Sequence, residues 1–289
     1  MIDPGLKDKT VLVTGANHGI GASTALAFAA QGAAVFVTYY REPATRPQEE
    51  LTQALQSAAG GPALYEARQQ QSSNWLVDQI RLNGGKAAAM ESNLSDASKI
   101  PLLFAACEKK LGPVDILICN HTYCKMETFD PNKVTDEGFG RHLPTASSID
   151  AHFAINARGV ALLMTEYLKR YLARGAKWGR IINLSSDEAS VDPENISYSA
   201  SKHAIESFSR SAAVTMGKYG ITVNIVAPGP IQTGYITPTE EVQIGQDTPL
   251  GRVGQPCDVA DVILFLASEQ AHWLTGQLLY VGGGWRMHQ

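Results

Sequence analysis

Seven short runs along the chain are almost wholly apolar or β-branched: residues 9–14, 33–39, 86–91, 114–119, 180–184, 221–227 and 277–281. Runs of this length without polar alternation mark strands covered on both faces. Between them, apolar positions recur at helical spacing over residues 20–30, 74–83, 97–111, 148–174, 198–219 and 257–268. Strand and helix in alternation predict an α/β fold, a doubly wound, mostly parallel seven-stranded sheet with helices on both faces. Such sheets bind ligands at the carboxyl ends of their strands. The glycine turn of residues 15–21, Asn120, Ser186 and the Pro228-Gly229 pair all follow strands at that edge, so the chemistry is expected there.

Two connections are too long for ordinary turns. Residues 42–71 carry prolines, the pair Gly60-Gly61 and a glutamine run, with a short helix expected over 48–58. Residues 123–147 carry Pro131, Gly138, Gly140 and Pro144. Both read as solvated surface excursions, because loops tolerate insertion at little thermodynamic cost. The second is better placed to wall a pocket, since it leaves the strand end beside Asn120. No repeat or linker divides the chain, so residues 1–289 are expected to form a single domain.

Composition narrows the function without naming it. Over 289 residues, 44% are apolar and 18% charged, as in an ordinary globular protein. The net charge of −4 and the scattered Lys and Arg residues give no electrostatic reason to expect nucleic acid. No apolar run is long enough to span a bilayer and the N-terminus has no signal-peptide core, so a cytoplasmic protein is expected. Cys107, Cys119, Cys124 and Cys257 form no CxxC pair and read as free thiols, while the seven histidines show no ligand spacing. No metal site is expected.

Two constellations carry chemistry. Tyr198 and Lys202 lie four residues apart at the head of a helical run, which stacks them on one face. A nearby ammonium favours the phenolate and brings a tyrosine toward useful proton chemistry. Ser185 and Ser186 end the preceding strand, where a hydroxyl can sit beside the phenol. The second constellation is strand, glycine turn and helix at Gly15, Gly19 and Gly21. Its spacing is not GxGxxG, but the physical need is the same: a backbone free of Cβ that approaches phosphate at a helix N-terminus.

Taken in order, the stretches Thr14-Gly15-Ala16-Asn17-His18-Gly19-Ile20-Gly21, Asp115-Ile116-Leu117-Ile118-Cys119-Asn120, Asn156-Ala157-Arg158-Gly159, Arg180-Ile181-Ile182-Asn183-Leu184-Ser185-Ser186, Tyr198-x-x-x-Lys202, Val223-Asn224-Ile225-Val226-Ala227-Pro228-Gly229-Pro230 and Leu274-Thr275-Gly276-Gln277 resemble the short-chain dehydrogenase/reductase family in its compact single-domain branch. The likeness runs from Lys7 to Arg286, interrupted at 42–71. It implies a Rossmann fold and hydride transfer between a nicotinamide cofactor and a ketone or secondary alcohol. Tyr198 becomes the general acid/base, and Lys202 the group that lowers its pKa and holds the nicotinamide ribose. Ser186 binds the substrate carbonyl, with Ser185 as the alternative, and Asn156 helps hold a water that relays protons to the lysine.

By the same resemblance, Gly15, Asn17, His18, Gly19, Ile20 and Gly21 cradle the cofactor from one side. Tyr39, Tyr40 and Arg41 lie near its adenosine ribose, and Asn93 and Leu94 near the adenine. Asn120, Pro228, Gly229, Ile231 and Thr233 complete the site with Tyr198 and Lys202. No carboxylate stands at Tyr39, and Arg41 can pair with a 2′-phosphate, helped by His18 if protonated and opposed by Glu42; NADP(H) is therefore expected over NAD(H). Where relatives carry small residues after the fourth strand, this chain has His121 and Thr122, and His121 reads as structural. The reaction class includes reductases of the 3-oxoacyl-carrier-protein kind, sugar or polyol dehydrogenases and hydroxysteroid dehydrogenases. From other classes, an epimerase or dehydratase and a non-catalytic dinucleotide sensor stand as alternatives. The family also implies a homo-oligomer, a tetramer or dimer, which Trp285 and Met287 near the C-terminus would support if left wet in a monomer.

Overall fold

The computed structural model describes residues 3–285. Its main sheet comprises β1 (Thr10–Thr14), β2 (Ala34–Tyr39), β3 (Lys86–Glu91), β4 (Ile116–Cys119), β5 (Gly179–Leu184), β6 (Ile221–Pro228) and β7 (Leu278–Val281). The spatial order is β3-β2-β1-β4-β5-β6-β7, and every neighbouring pair runs parallel. The seven expected strands are all present, with ends shifted by a residue or two. Because the chain winds outward from β1 through β3 and then returns to β4 on the other side of β1, a crevice opens at the carboxyl ends of β1 and β4.

Alternate strand residues feed two cores. Val11, Val13, Val35, Val37, Ile116 and Ile118 pack with Phe28 of α1 (Gly19–Ala30) and with Val259 and Ile263 of α10 (Pro256–Ala267). Leu12, Phe36, Leu117 and Ile181 face the other way, against Phe104 of α5 (Lys99–Leu111), Leu163 and Tyr167 of α7 (Gly159–Ala173), and Ile205 of α8 (Ile196–Met216). Burying each large side chain of this kind contributes about 1.5–3 kcal/mol, so the layers are held from both faces of the sheet. No helix among the described residues is long and apolar enough to cross a membrane.

The structure departs from the sequence reading in three places. The single helix expected over 148–174 is instead α6 (Ala146–His152), a π-helical stretch Phe153–Arg158, and α7. A widened turn of this type inside a helix is common at functional sites, and here it carries Asn156. The segment 42–71 is no solvated excursion. It forms α2 (Gln48–Ser57) and α3 (Pro62–Gln69), and buries Leu51, Leu64 and Ala67. The amide of Gly61 donates to the Gly234 carbonyl at 2.9 Å, so α3 lies back over the strand-end loops. Finally, α9 (Pro238–Asp247) has a complete capping box between Thr237 and Glu240, a start signal present in the sequence but unread. Between β2 and β3 falls also α4 (Asn74–Leu82), and between β4 and β5, inside 123–147, a two-residue parallel ladder of Met126–Glu127 with Arg141–His142. Trp285 is half-buried within the chain; Met287 lies outside the described residues.

Candidate active site

The end of β5 and the start of α8 bring the proton chemistry together. Tyr198 and Lys202 share one helix face, with Lys202 Nζ 5.6 Å from the centre of the Tyr198 ring and donating to the Leu184 carbonyl at 3.0 Å. Ser186 stands close enough to the Tyr198 hydroxyl to favour its ionisation, and its Oγ accepts from the Glu188 amide at 3.1 Å. Ser185 points elsewhere: its hydroxyl donates to Glu206 Oε1 at 2.8 Å. Adjacent residues at a strand end face opposite ways, which separates the two serines and leaves Ser186 beside the phenol.

Burial governs both ionisable groups. Lys202 is buried, and burial lowers its pKa to about 8. Tyr198 is raised well above the usual tyrosine range, first by burial and then by Cys124 and Glu188, against the lowering effect of Ser186. The expected lowering of the phenol by Lys202 is therefore overridden, because desolvation disfavours the charged form of each. A protonated phenol beside a hydroxyl is a pair of donors aimed at one oxygen.

Asn156 is fully buried. Its Nδ2 donates to the Tyr123 carbonyl and to Ser201 Oγ, both at 2.9 Å, and its Oδ1 accepts from the Tyr123 amide at 2.8 Å. These bonds tie the root of 123–147 to α8, a positioning role visible in the contacts. His121 is fixed at both ring nitrogens, to Thr14 Oγ1 at 2.8 Å and the Ile155 carbonyl at 3.1 Å. Burial, then Lys202, lowers it to about 4, so the ring is neutral near pH 7. Among the described residues no cluster of side chains suits a metal ion. All four cysteines are free; Cys124 is exposed, with its Sγ 3.5 Å from Asn195 Oδ1.

The glycine turn sits across the crevice. Gly15 has φ +63°, and a Cβ there would stand 2.7 Å from His121 Cα; at Gly21 a Cβ would collide with the Gly15 carbonyl and the Asn120 side chain. Asn120 Nδ2 donates to the Gly15 carbonyl at 2.7 Å, holding the turn against the end of β4. The α1 N-terminus opens there with free N–H groups, and the Nδ1 atom of His18 is buried without a partner. Backbone donors in a cradle without Cβ atoms fit the diphosphate of a dinucleotide. Thr233 closes the far side, its Cγ2 3.0 Å from the position of a Cβ on Gly19. Ile231 is buried, and Gly229 donates to the Val281 carbonyl at 3.0 Å.

The structure bears on three of the groups expected near the cofactor. The protonation on which a charge at His18 depended is disfavoured: burial, then Arg68, lowers its pKa to about 4. Asn93 Oδ1 already accepts from the Ser95 amide at 2.9 Å and the Ser95 hydroxyl at 2.7 Å, so its two lone pairs are taken, while Leu94 is core. Arg41 is opposed not by Glu42 but by Glu91 of β3, at 2.7 Å, a partner fifty residues away that only the β2–β3 pairing brings near. Tyr39 is buried and Tyr40 exposed.

Sequence reasoning missed what the 42–71 segment brings. Tyr65 of α3 makes edge contacts with His18 at 5.5 Å and with Phe139 and Tyr235 at 6.0 Å. Its pKa is pushed up to about 12 by burial and Cys124, and it adds to the rise at Tyr198. Asn17 Nδ2 donates to the Gln69 and Gln71 carbonyls at 2.9 and 3.2 Å, fastening α3 to the glycine turn. The apolar spacing of Leu64 and Ala67 after Gly61-Pro62 was the available signal.

The comparisons agree with this geometry. A family model described as "Enoyl-(Acyl carrier protein) reductase" matches residues 57–286, and one described as "short chain dehydrogenase" matches residues 9–65. An uncharacterized oxidoreductase of Methylorubrum extorquens is 34% identical over 97% of this chain and 99% of its own. A glucose 1-dehydrogenase of Gluconobacter oxydans is 30% identical over 96% of this chain and 91% of its own. The crystal structure of a dehydrogenase/reductase from Sinorhizobium meliloti superposes with a TM-score of 0.75 at 27% identity, covering 97% of this chain and 96% of the other. With a parallel sheet whose carboxyl edge carries a glycine cradle facing a serine, a tyrosine and a lysine, the chain belongs to the short-chain dehydrogenase/reductase family of oxidoreductases.

Proposed function

We propose that this protein reduces a ketone to a secondary alcohol, with Tyr198 as the proton donor. The observation that carries the reading is the Ser186–Tyr198–Lys202 assembly, in which burial keeps the phenol protonated. A nicotinamide dinucleotide, bound along the glycine turn, supplies the hydride to the carbonyl carbon. As charge grows on the carbonyl oxygen, Tyr198 gives it a proton and Ser186 donates a hydrogen bond. Lys202, held by the Leu184 carbonyl, offers its ammonium to the cofactor ribose and balances the phenolate left behind. Tyr198→Phe is expected to lower kcat by about 100- to 10,000-fold while cofactor binding survives, because the ring still packs. Retention of more than about a tenth of the turnover defeats the assignment.

Tyr65, which acts on Tyr198, and the rings of Phe139 and Tyr235 in edge contact with it support an apolar or ring-bearing ketone over a sugar, since aromatic walls bury flat apolar surface and offer few hydrogen bonds. A panel of cyclic ketones, a 3-oxoacyl thioester and aldoses, followed at the nicotinamide absorbance, tests this. Preference for the aldoses overturns it. NADP(H) is proposed as the preferred cofactor. Tyr39 presents no carboxylate to repel a 2′-phosphate, and the Arg41–Glu91 pair, bidentate but exposed to water, is one for which a phosphate can compete. Arg41→Ala is expected to narrow the preference; an unchanged ratio of kcat/KM for the two cofactors removes Arg41 from the reading. A homo-oligomer is also proposed, by membership of the family and by the exposed Phe208 and Val214 on α8. Sedimentation as a monomer at micromolar concentration contradicts it.

A further inference from the structure

The glycine turn offers a dinucleotide backbone donors but no charged side chain from its own sequence, and His18, the one titratable group in it, is neutral near pH 7. Arg68, near the end of α3, arrives from the inserted segment. Its Nη1 lies 2.9 Å from the position of a Cβ on Gly234. The neighbour of Gly234, Thr233, touches Gly19, and the neighbour of Arg68, Gln69, accepts from Asn17 through its carbonyl at 2.9 Å. The guanidinium is thereby bracketed between the glycine turn and the loop after β6. Its charge is felt there, since it lowers His18.

The other arginines of this region have carboxylates: Arg41 pairs with Glu91, and Arg46 with Glu50 and Glu66. Arg68 has no carboxylate within ion-pair reach among the described residues, although it is half-buried. A partly desolvated arginine that costs its hydration and meets no acid is placed for an anion that arrives later. The planar fork of donors suits two phosphate oxygens at once. A dinucleotide diphosphate carries two negative charges, and the cradle requires it to lie at the α1 N-terminus, beside this guanidinium.

We propose that Arg68, carried by the inserted helix α3, binds the diphosphate of the cofactor and closes the inserted segment over it as part of the binding site. The proposal rests on the dinucleotide site described above. It makes the insertion a cofactor clamp rather than an ornament. A clamp of this kind reads the diphosphate common to both nicotinamide cofactors and is indifferent to the 2′-phosphate.

The test is equilibrium binding, measured by calorimetry on the full-length protein with four ligands: NADPH, NADH, ADP and 2′-AMP. The last carries the 2′-phosphate without a diphosphate. Arg68→Ala is expected to weaken NADPH, NADH and ADP about tenfold or more, as for loss of a charge-assisted phosphate contact, and to leave 2′-AMP within about twofold. Arg68→Lys, which keeps the charge without the fork, should recover part of the loss for the first three. Their dependence on salt should flatten in Arg68→Ala, because fewer charges are neutralised. Unchanged binding of all four ligands by Arg68→Ala overturns the proposal. So does a loss confined to NADPH and 2′-AMP, which would make Arg68 a reader of the 2′-phosphate. Equal losses in Arg68→Ala and Arg68→Lys, both with wild-type circular dichroism, show that charge is not the cause and overturn it too. Failure of the wild type to bind any dinucleotide removes the site itself, an outcome distinct from wild-type binding that survives Arg68→Ala.

Discussion

Residues 42–71 and residues 123–147 leave the same edge of the sheet, and both are punctuated by proline and glycine. The first buries Leu51, Leu64 and Ala67 in two helices and is fastened to the glycine turn through Asn17. The second leaves Phe129, Val134, Phe139 and Leu143 exposed and is held by backbone bonds, Asn156 and the ion pairs of Glu194 with Arg141 and Lys133. Composition alone does not separate a docked segment from a draped one. What separates them is whether the apolar positions fall on one helical face and meet an apolar partner. The docked segment sets Tyr65 against His18 and is fastened to the glycine turn, whereas the draped one sends Cys124 and Phe139 to the cleft, where Cys124 weighs more on Tyr198 than Tyr65 does.

The contrast should be plainest in stability. Leu64→Ala is expected to cost about 2–5 kcal/mol, as for a large-to-small change in a packed site, read by denaturant unfolding and by new proteolytic cuts within 42–71. Phe129→Ala, at a residue 75% exposed, should stay within about 0.5 kcal/mol. Similar losses in both would erase the distinction.

Acid comes next. His18 and His121 are both lowered from 6.5 to about 4, so between those values the unfolded chain binds protons that the folded chain refuses. Stability is therefore full above the unfolded value and falls as pH drops through the window, by about 3 kcal/mol for each ring. The two rings differ in what covers them. Leu64→Ala should raise the His18 pKa toward 6.5 in an NMR titration while His121, enclosed by β1 and the π-helical stretch, remains near 4. Movement of both together would mean that α3 does not specifically cover His18.

Smaller still is Asn17→Ala, which removes one bond to the last residue of α3 and one to the turn after it and should speed hydrogen exchange of the α3 amides by the equivalent of about 1–2 kcal/mol, with the amides of 123–147 unaffected. A small effect is also expected from Glu194→Gln: its ion pairs are partly solvated and should be worth less than about 1 kcal/mol in unfolding. A larger loss would show the second segment to be pinned by charge after all.

Much of the site was legible in the sequence because it is written in local spacing. Tyr198 and Lys202 meet because four residues make one helical turn, and the glycines at 15, 19 and 21 announce a turn that excludes Cβ. The helix at Gln48–Ser57 was readable from its polar-apolar period. By contrast, α3 is only eight residues long and follows two glycines, so the spacing of Leu64 and Ala67 is a faint signal that spans less than one full heptad. Nothing local told Ser186 from Ser185 either, since the choice depends on which face of β5 meets α8.

The sequence by itself determined the order of strands and helices, the single sheet, the glycine cradle and the tyrosine–lysine pair, because strand and helix periods are properties of consecutive residues. Only the tertiary structure decided that Glu91 pairs with Arg41, that Tyr65 and Arg68 reach the cleft, and that Tyr198 is held protonated while Lys202 falls to about 8. Desolvation and Coulomb interactions depend on distance through space. The groups that exert them here, Cys124, Glu188 and Tyr65 on the phenol among them, come from parts of the chain that only the fold brings together.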